Sequence, residues 1–146
     1  MISVREIASK EEMLKNLGII QEVYPDISLE QYGNMLDEML PHNYGQIGAF
    51  IDDVCVGISG YWIYTKIWSG KCLEMDNVVV SEAHRSKGIG KMLEEYLEIK
   101  AKDNNCNMMA LDAYVDNFKV HKFYVNQGYH ARGYHFIKYT GKGPRR

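Results

Sequence analysis

Residues 72–96 read CLEMDNVVVSEAHRSKGIGKMLEEY, and the fold follows from how this stretch is parsed. Leu73, Met75 and the run Val78-Val79-Val80 are apolar and rich in β-branched residues over a strand's length. Ser81 to His84 is polar and interrupts the run. Arg85-Ser86-Lys87-Gly88-Ile89-Gly90 then crowds two glycines into a short loop. Lys91 to Ala101 restores helical spacing, with Met92, Leu93, Tyr96, Leu97 and Ile99 on the inner side. The stretch is therefore strand, tight loop, helix. Gly88 and Gly90 allow backbone conformations closed to other residues and let a ligand come near. The N–H groups opening the following helix, helped by its dipole, can hold an anion. Arg85 and Lys87 add positive charge. The expectation is a site for a phosphate-bearing cofactor, built from Arg85, Ser86, Lys87, Gly88, Ile89, Gly90 and Lys91.

Missing residues narrow the cofactor. A Walker A loop ends in Gly-Lys-Ser/Thr, whereas Gly90-Lys91 is followed by Met92 and Arg85 stands where the first glycine belongs. A dinucleotide fingerprint needs a third glycine where Leu93 stands. The pattern that remains, Arg-x-x-Gly-x-Gly after an apolar strand, resembles the pyrophosphate loop of the GCN5-related N-acetyltransferases, the GNAT family, which bind acetyl-coenzyme A. A second segment strengthens the resemblance. Asn117-Phe-Lys-Val120-His121-Lys-Phe123-Tyr124-Val-Asn-Gln-Gly128-Tyr129 is similar to the family's second signature, with Val120 where Ala is usual. The resemblance covers Cys72 to Tyr139. The N-terminal half matches only in its order of elements.

Length and composition set the frame. At 146 residues the chain is expected to form one domain over 1–146, with a core large enough to need no staples. Its 25% charged and 46% hydrophobic residues are ordinary for a soluble globular protein. A net charge of −2 argues against a nucleic-acid binder, which would carry a basic stripe. Cys55, Cys72 and Cys106 are scattered, with no CxxC pair and no metal-ligand set, so we expect free thiols, a reducing compartment and no metal. Met1 to Glu6 shows no basic-then-apolar leader, and no stretch approaches membrane-spanning length. The expectation is a cytoplasmic protein without a membrane or nucleic-acid partner.

The remaining elements read in order. Ile2 to Ala8 alternates as a strand. Ser9 caps a helix, with Glu12 at capping-box spacing and Pro25 as its stop. Ser28 to Met39 is a second helix, with Leu29, Tyr32, Met35, Leu36 and Met39 inward. Gln46 to Ile51 and Val54 to Tyr64 form a hairpin around Asp52-Asp53. Ser69-Gly70 turns into the central strand. Met108 to Tyr114 is a further strand. Lys119 to Val125 is a short helix stopped by Gly128, and Gly133 to Tyr139 is a last strand. Thr140 to Arg146 looks like a frayed tail. The order βααβββαβαβ is that of the GNAT fold. It implies an α/β domain with a mixed, mostly antiparallel sheet of six to seven strands and about four helices.

The implied reaction moves an acetyl group from a thioester to an amine. An alkyl amine with a pKa near ~10 is mostly protonated at neutral pH, so a base is needed. By alternation Glu74, Asp76, Val78 and Val80 share one strand face. The resemblance lays the pantetheine arm along Val78, Val79 and Val80, whose backbone N–H groups can support the oxyanion. It puts Glu74 at the position of the base, with Asp76 the second candidate. It makes Tyr124 the acid for the leaving thiolate and Asn117 the partner of the pantetheine amide. Plainer readings stand beside these. Glu74 and Asp76 can be a solvated strand face, Tyr124 a packed aromatic and His121 a helix-surface residue. Tyr61, Trp62, Tyr64 and Trp68 are either core and dimer-interface aromatics or the wall of an acceptor site that attracts a cation. The resemblance thus implies an acetyl-CoA-dependent N-acetyltransferase for a primary amine of a small molecule. A protein or peptide N-acetyltransferase and a non-catalytic acyl-CoA sensor are the alternatives. A homodimer is compatible, since many relatives pair through C-terminal strands.

Overall fold

The computed structural model describes residues 1–145. Arg146, the end of the expected tail, lies outside the described residues. The chain forms two compact units, residues 1–110 and the residues from Leu111 onward.

The first unit is built on a five-stranded sheet in the order β1-β2-β3-β4-β5. β1 (Ile2–Ile7) pairs antiparallel with β2 (Tyr44–Ile51). β2 turns directly into β3 (Val54–Lys66) through Asp52 and Asp53. Both take left-handed φ, 48° and 64°, as a two-residue hairpin turn requires. β4 (Gly70–Val80) runs antiparallel to β3, and β5 (Met108–Ala110) joins β4 in parallel. The parallel step needs a crossover, supplied by α4 (Ile89–Asp103).

Helices cover both sheet faces, and two neighbouring residues of β3 mark them. Gly57 lies so close under Ile89 and Leu93 that a Cβ there would meet the Ile89 side chain at 2.9 Å. Ile58 instead joins a core with Tyr32, Leu36, Tyr44, Phe50 and Val79. On α4 the buried apolar positions are Ile89, Leu93, Leu97 and Ala101, a spacing of four that keeps one face inward, with Glu94 buried beside them. Ile99 was expected inward but is 61% exposed, because two residues past Leu97 is the opposite side of a helix.

The first helix is broken into α1 (Lys10–Lys15) and α2 (Leu17–Ile20). Asn16 closes α1, its side chain donating to the Glu12 carbonyl at 3.1 Å. Ser9 does cap α1, accepting from Glu12 N at 3.1 Å. The Glu12 carboxylate does not complete a capping box; it reaches Arg5 at 2.7 Å instead. The full box forms at α3 (Leu29–Met39), between Ser28 and Gln31. There Tyr32 and Leu36 are buried, whereas Leu29 and Met35 are exposed, contrary to expectation.

The second unit holds α5 (Phe118–Asn126) and no strand among its described residues. Gly128, at φ 97°, ends α5 in a Schellman motif, with Tyr129 N on Tyr124 O and Gly128 N on Val125 O, both at 3.0 Å. The strand expected over Gly133–Tyr139 is irregular, and Phe136 is 90% exposed. Alternation alone does not make a strand; a ladder partner does, and among its described residues this unit has no other strand to supply one. The strand expected over Met108–Tyr114 likewise stops at Ala110, the last residue registered against β4. Among the described residues the outcome is a mixed α/β fold with five strands, not six to seven, and five α-helices. Among the described residues no helix is long and apolar enough to cross a membrane.

Candidate active site

The decisive local feature is a break in the β3–β4 ladder. Ile58 pairs with Val79 and Gly60 with Asp76, so one β3 residue opposes two on β4. Asn77, at φ 53°, sits in this bulge. Asparagine tolerates the left-handed region better than most residues. The extra residue resets the alternation and overturns the expected shared face. Glu74 and Asp76 lie on the same side as Val79, which packs with Ile58 in the α3-side core. Val80 pairs with Gly57, whose face is turned to α4. Thus the valines after the bulge do not continue the carboxylate row by simple alternation.

Both carboxylates are held from β3. Tyr64 donates its hydroxyl to Glu74 Oε1 at 2.6 Å, and Trp62 Nε1–H donates to Asp76 Oδ2 at 2.9 Å. Burial, then the hydrogen bond to Glu74, pushes the Tyr64 hydroxyl well above the usual tyrosine range, so it stays a donor. The Trp62 ring rests against Tyr44, with centroids 4.8 Å apart. Tyr44 belongs to a second polar group. The fully buried Gln46 donates from Nε2 to Tyr32 Oη at 2.7 Å and Tyr44 Oη at 2.9 Å. Burial raises the pKa of both tyrosines. Two acidic side chains therefore stand beside aromatic rings on one side of β4, a surface suited to a cationic amine.

Past Val80 the chain enters a 3-10 turn, Glu82–His84, and then the glycine loop. Arg85, Ser86, Lys87 and Gly88 are exposed. Arg85 Nε donates back to the Val80 carbonyl at 3.3 Å, tying the loop to the strand's end. Gly88 takes φ 77° as the residue before α4, and a Cβ there would meet nothing within 4 Å. Glycine is thus required by the backbone angle and not by space. Ile89 anchors the first turn in the core. The first bond of the helix runs from Met92 N to Gly88 O, so the amides of Ile89, Gly90 and Lys91 have no acceptor one turn back. Three open amides, with Arg85 and Lys87 in the loop before them, are groups able to hold a pyrophosphate.

In the second unit, Asn117 and Tyr124 both belong to α5. Asn117 is its N-cap, with Oδ1 accepting from Val120 N at 3.3 Å. That bond leaves the Nδ2 amide as the end of the side chain able to donate to a ligand carbonyl. Tyr124 packs edge-on against Phe123 at 5.0 Å and Tyr129 at 5.4 Å between ring centroids. His121 meets the Tyr114 carbonyl through Nε2 at 2.7 Å, a local structural contact. Reading the sequence did not find Tyr64 and Trp62 as the holders of Glu74 and Asp76. Both contacts are diagonal in the cross-strand register: Trp62 pairs with Glu74 but bonds Asp76, and Tyr64 pairs with Cys72 but bonds Glu74.

Comparison with known proteins gives concordant results. The acetyltransferase (GNAT) family model matches residues 4–129. YhdJ, an uncharacterized N-acetyltransferase of Bacillus subtilis (strain 168), is 25% identical over 140 residues, covering 94% of this chain and 99% of its own. The aminoglycoside N-acetyltransferase AAC(6')-Iy in complex with CoA superposes with a TM-score of 0.80 at 17% identity, covering 98% of this chain and 96% of that one. Glucosamine-6-phosphate N-acetyltransferase from Arabidopsis thaliana gives 0.76 at 19% identity, with 97% and 99% covered. A ribosomal-protein-alanine N-acetyltransferase from Brucella melitensis biovar Abortus 2308 gives 0.79 at 18% identity, with 95% and 99% covered.

Proposed function

The chain belongs to the acetyltransferase (GNAT) family and is an acyltransferase, and from that premise we propose that it carries the acetyl group of acetyl-CoA to a primary amine of a small molecule. The observation that carries this reading is the pair Glu74 and Asp76, each with one oxygen fixed from β3, upstream of a glycine-capped helix start with open amides. On this reading Arg85, Ser86, Lys87, Gly88, Ile89, Gly90 and Lys91 hold the pyrophosphate, and the thioester arm lies along Val78, Val79 and Val80. Glu74 takes the amine proton, with Asp76 the second candidate. The nitrogen lone pair attacks the thioester carbonyl, and strand amides stabilise the oxyanion. The C–S bond then breaks, and Tyr124 gives its proton to the thiolate, whose parent pKa near ~8.5 a tyrosine can serve. The assignment of Tyr124 and Asn117 is supported by the second signature, residues 117–129, inside the family match. A small acceptor is supported by the carboxylate and aromatic strip, which offers charge and ring faces for an ammonium group. The aminoglycoside and glucosamine-6-phosphate enzymes among the structural neighbours point the same way.

A thermal-shift titration with acetyl-CoA, CoA and ATP, followed by a thiol-release screen over amines and amino-terminal peptides, tests the reading. Ligand at about 100 times its Kd stabilises by roughly 2.7 kcal/mol, which is about 5–10 °C at this chain length. A shift with both CoA species and none with ATP is expected, with turnover on small amines. Turnover confined to peptides would replace the acceptor class. Absence of any shift with CoA species would remove the cofactor reading.

A further inference from the structure

The turn after α2, residues 21–26, is fastened to the exit of β4 at two points. Tyr24, half-buried against the core, donates its hydroxyl to Asn77 Oδ1 at 2.8 Å, across 53 residues of sequence. Glu22 Oε1 accepts from Glu82 N at 3.0 Å, just beyond the strand. The two contacts bracket Val78–Val80. The turn is itself fixed, with Tyr24 N on Ile20 O at 2.9 Å and Ile27 N on Tyr24 O at 3.2 Å. Asn77 is the left-handed residue of the bulge, and neither it nor Val78 appears in the β3–β4 register. Where the ladder lets go, the orientation of these peptide groups needs another support. The Asn77 side chain, gripped by Tyr24, is such a support.

We propose that Tyr24 is a positioning residue for acetyl transfer: through Asn77 it fixes the bulge, and so the direction of the peptide groups that would pair with the thioester arm. This rests on the reading that acetyl-CoA lies along Val78–Val80. Tyr24 itself touches no reacting atom in this scheme. Its loss should spare the pyrophosphate cradle, which is anchored separately through Ile89, and disturb only the strand exit.

The test is amide hydrogen exchange with saturating acetyl-CoA, paired with kinetics on the amine that releases thiol fastest. In the wild type, acetyl-CoA should protect both the 77–80 and the 86–91 amides. In Tyr24→Phe, protection at 86–91 should persist, while exchange at 77–80 rises about tenfold and kcat falls roughly 10- to 100-fold, as small misplacements near the chemistry do. KM for acetyl-CoA should stay within about threefold. Asn77→Gly keeps the left-handed backbone without the side chain and should show the same losses. Adding Tyr24→Phe to it should change nothing further, since both remove one interaction. Unchanged protection at 77–80 and unchanged kcat in Tyr24→Phe would overturn the proposal, even if its melting point fell. Additive effects in the double variant would overturn it as well. If the wild type showed no acetyl-CoA protection at either segment, the cofactor reading would fail first and the proposal with it.

Discussion

The glycine loop with α4 and the segment around α5 carry the two motifs on which the family resemblance rests, yet they are built in opposite ways. α4 buries the apolar side chains of Ile89, Leu93, Leu97 and Ala101, so its first turn is anchored in the core while the loop before it is exposed. α5 buries no residue and is shaped by its own ends, the Asn117 cap and the Gly128 Schellman motif, with Phe123, Tyr124 and Tyr129 stacked on one another. The helix of the first motif is held by the core. The second is defined by local hydrogen bonds and rings. On the proposed reading the candidate base lies on β4, the strand that leads into the first region, and the candidate acid on α5 in the second.

The largest expected effect tests that division. Glu74→Gln should lower turnover by about 10²–10⁴, the range for loss of a general base, and the remaining rate should follow only the ionisation of the amine. Tyr124→Phe should lower kcat less and leave acetyl-CoA affinity unchanged, because a leaving thiolate needs less help than a protonated amine. If Glu74→Gln kept its rate at every pH, the base would pass to Asp76 or to water. Stability should separate the regions next. Leu93→Ala removes a fully buried side chain and should cost about 2–5 kcal/mol, while Val125→Ala, at 59% exposed, should stay within about 0.5 kcal/mol in urea unfolding. Equal losses would show that α5 is held as firmly as α4.

How far the sequence reveals each region follows from what makes an element. Caps, turns and glycine angles are local, so Ser9, Asp52-Asp53, Gly88 and Gly128 were readable where they stand. The C-terminal end of α5 was readable for the same reason, whereas its Asn117 cap was not expected. Alternation was a weaker guide. It put Val78 and Val80 on the face of Glu74 and Asp76, because nothing in a period-two count registers an inserted residue. Asn77, a polar residue that tolerates a left-handed angle just before three valines, was the available signal. Alternation also promised a strand over Gly133–Tyr139, where the pattern is present and a ladder is not. The tyrosine and tryptophan that hold the two carboxylates depend on the pairing of β3 with β4, a relation between distant residues that no single stretch encodes.

Gly88 offers a smaller test, confined to the first region. Space around it is open, so Gly88→Ala should fail only through the left-handed angle, at a cost of about 1–2 kcal/mol. The strain should tilt the open amides of Ile89, Gly90 and Lys91 and weaken CoA binding measured by calorimetry. Gly88→Asn should lose less of both. If Gly88→Ala bound CoA normally, the cradle would not depend on this angle.

The smallest effect is expected in the second region, at Asn117, where a structural and a ligand role meet in one side chain. Its Oδ1 caps α5, and only Nδ2 can donate to a pantetheine carbonyl. Asn117→Asp keeps the capping acceptor and removes the donor. It should leave the melting point near that of the wild type, since aspartate caps as well as asparagine, and raise the Kd for acetyl-CoA by about tenfold or less, the worth of one hydrogen bond. Asn117→Ala loses both and should also fray α5, at about 1 kcal/mol. If the aspartate variant bound acetyl-CoA as the wild type does, Asn117 would be a cap alone, and the second motif would owe its place in the site to Tyr124.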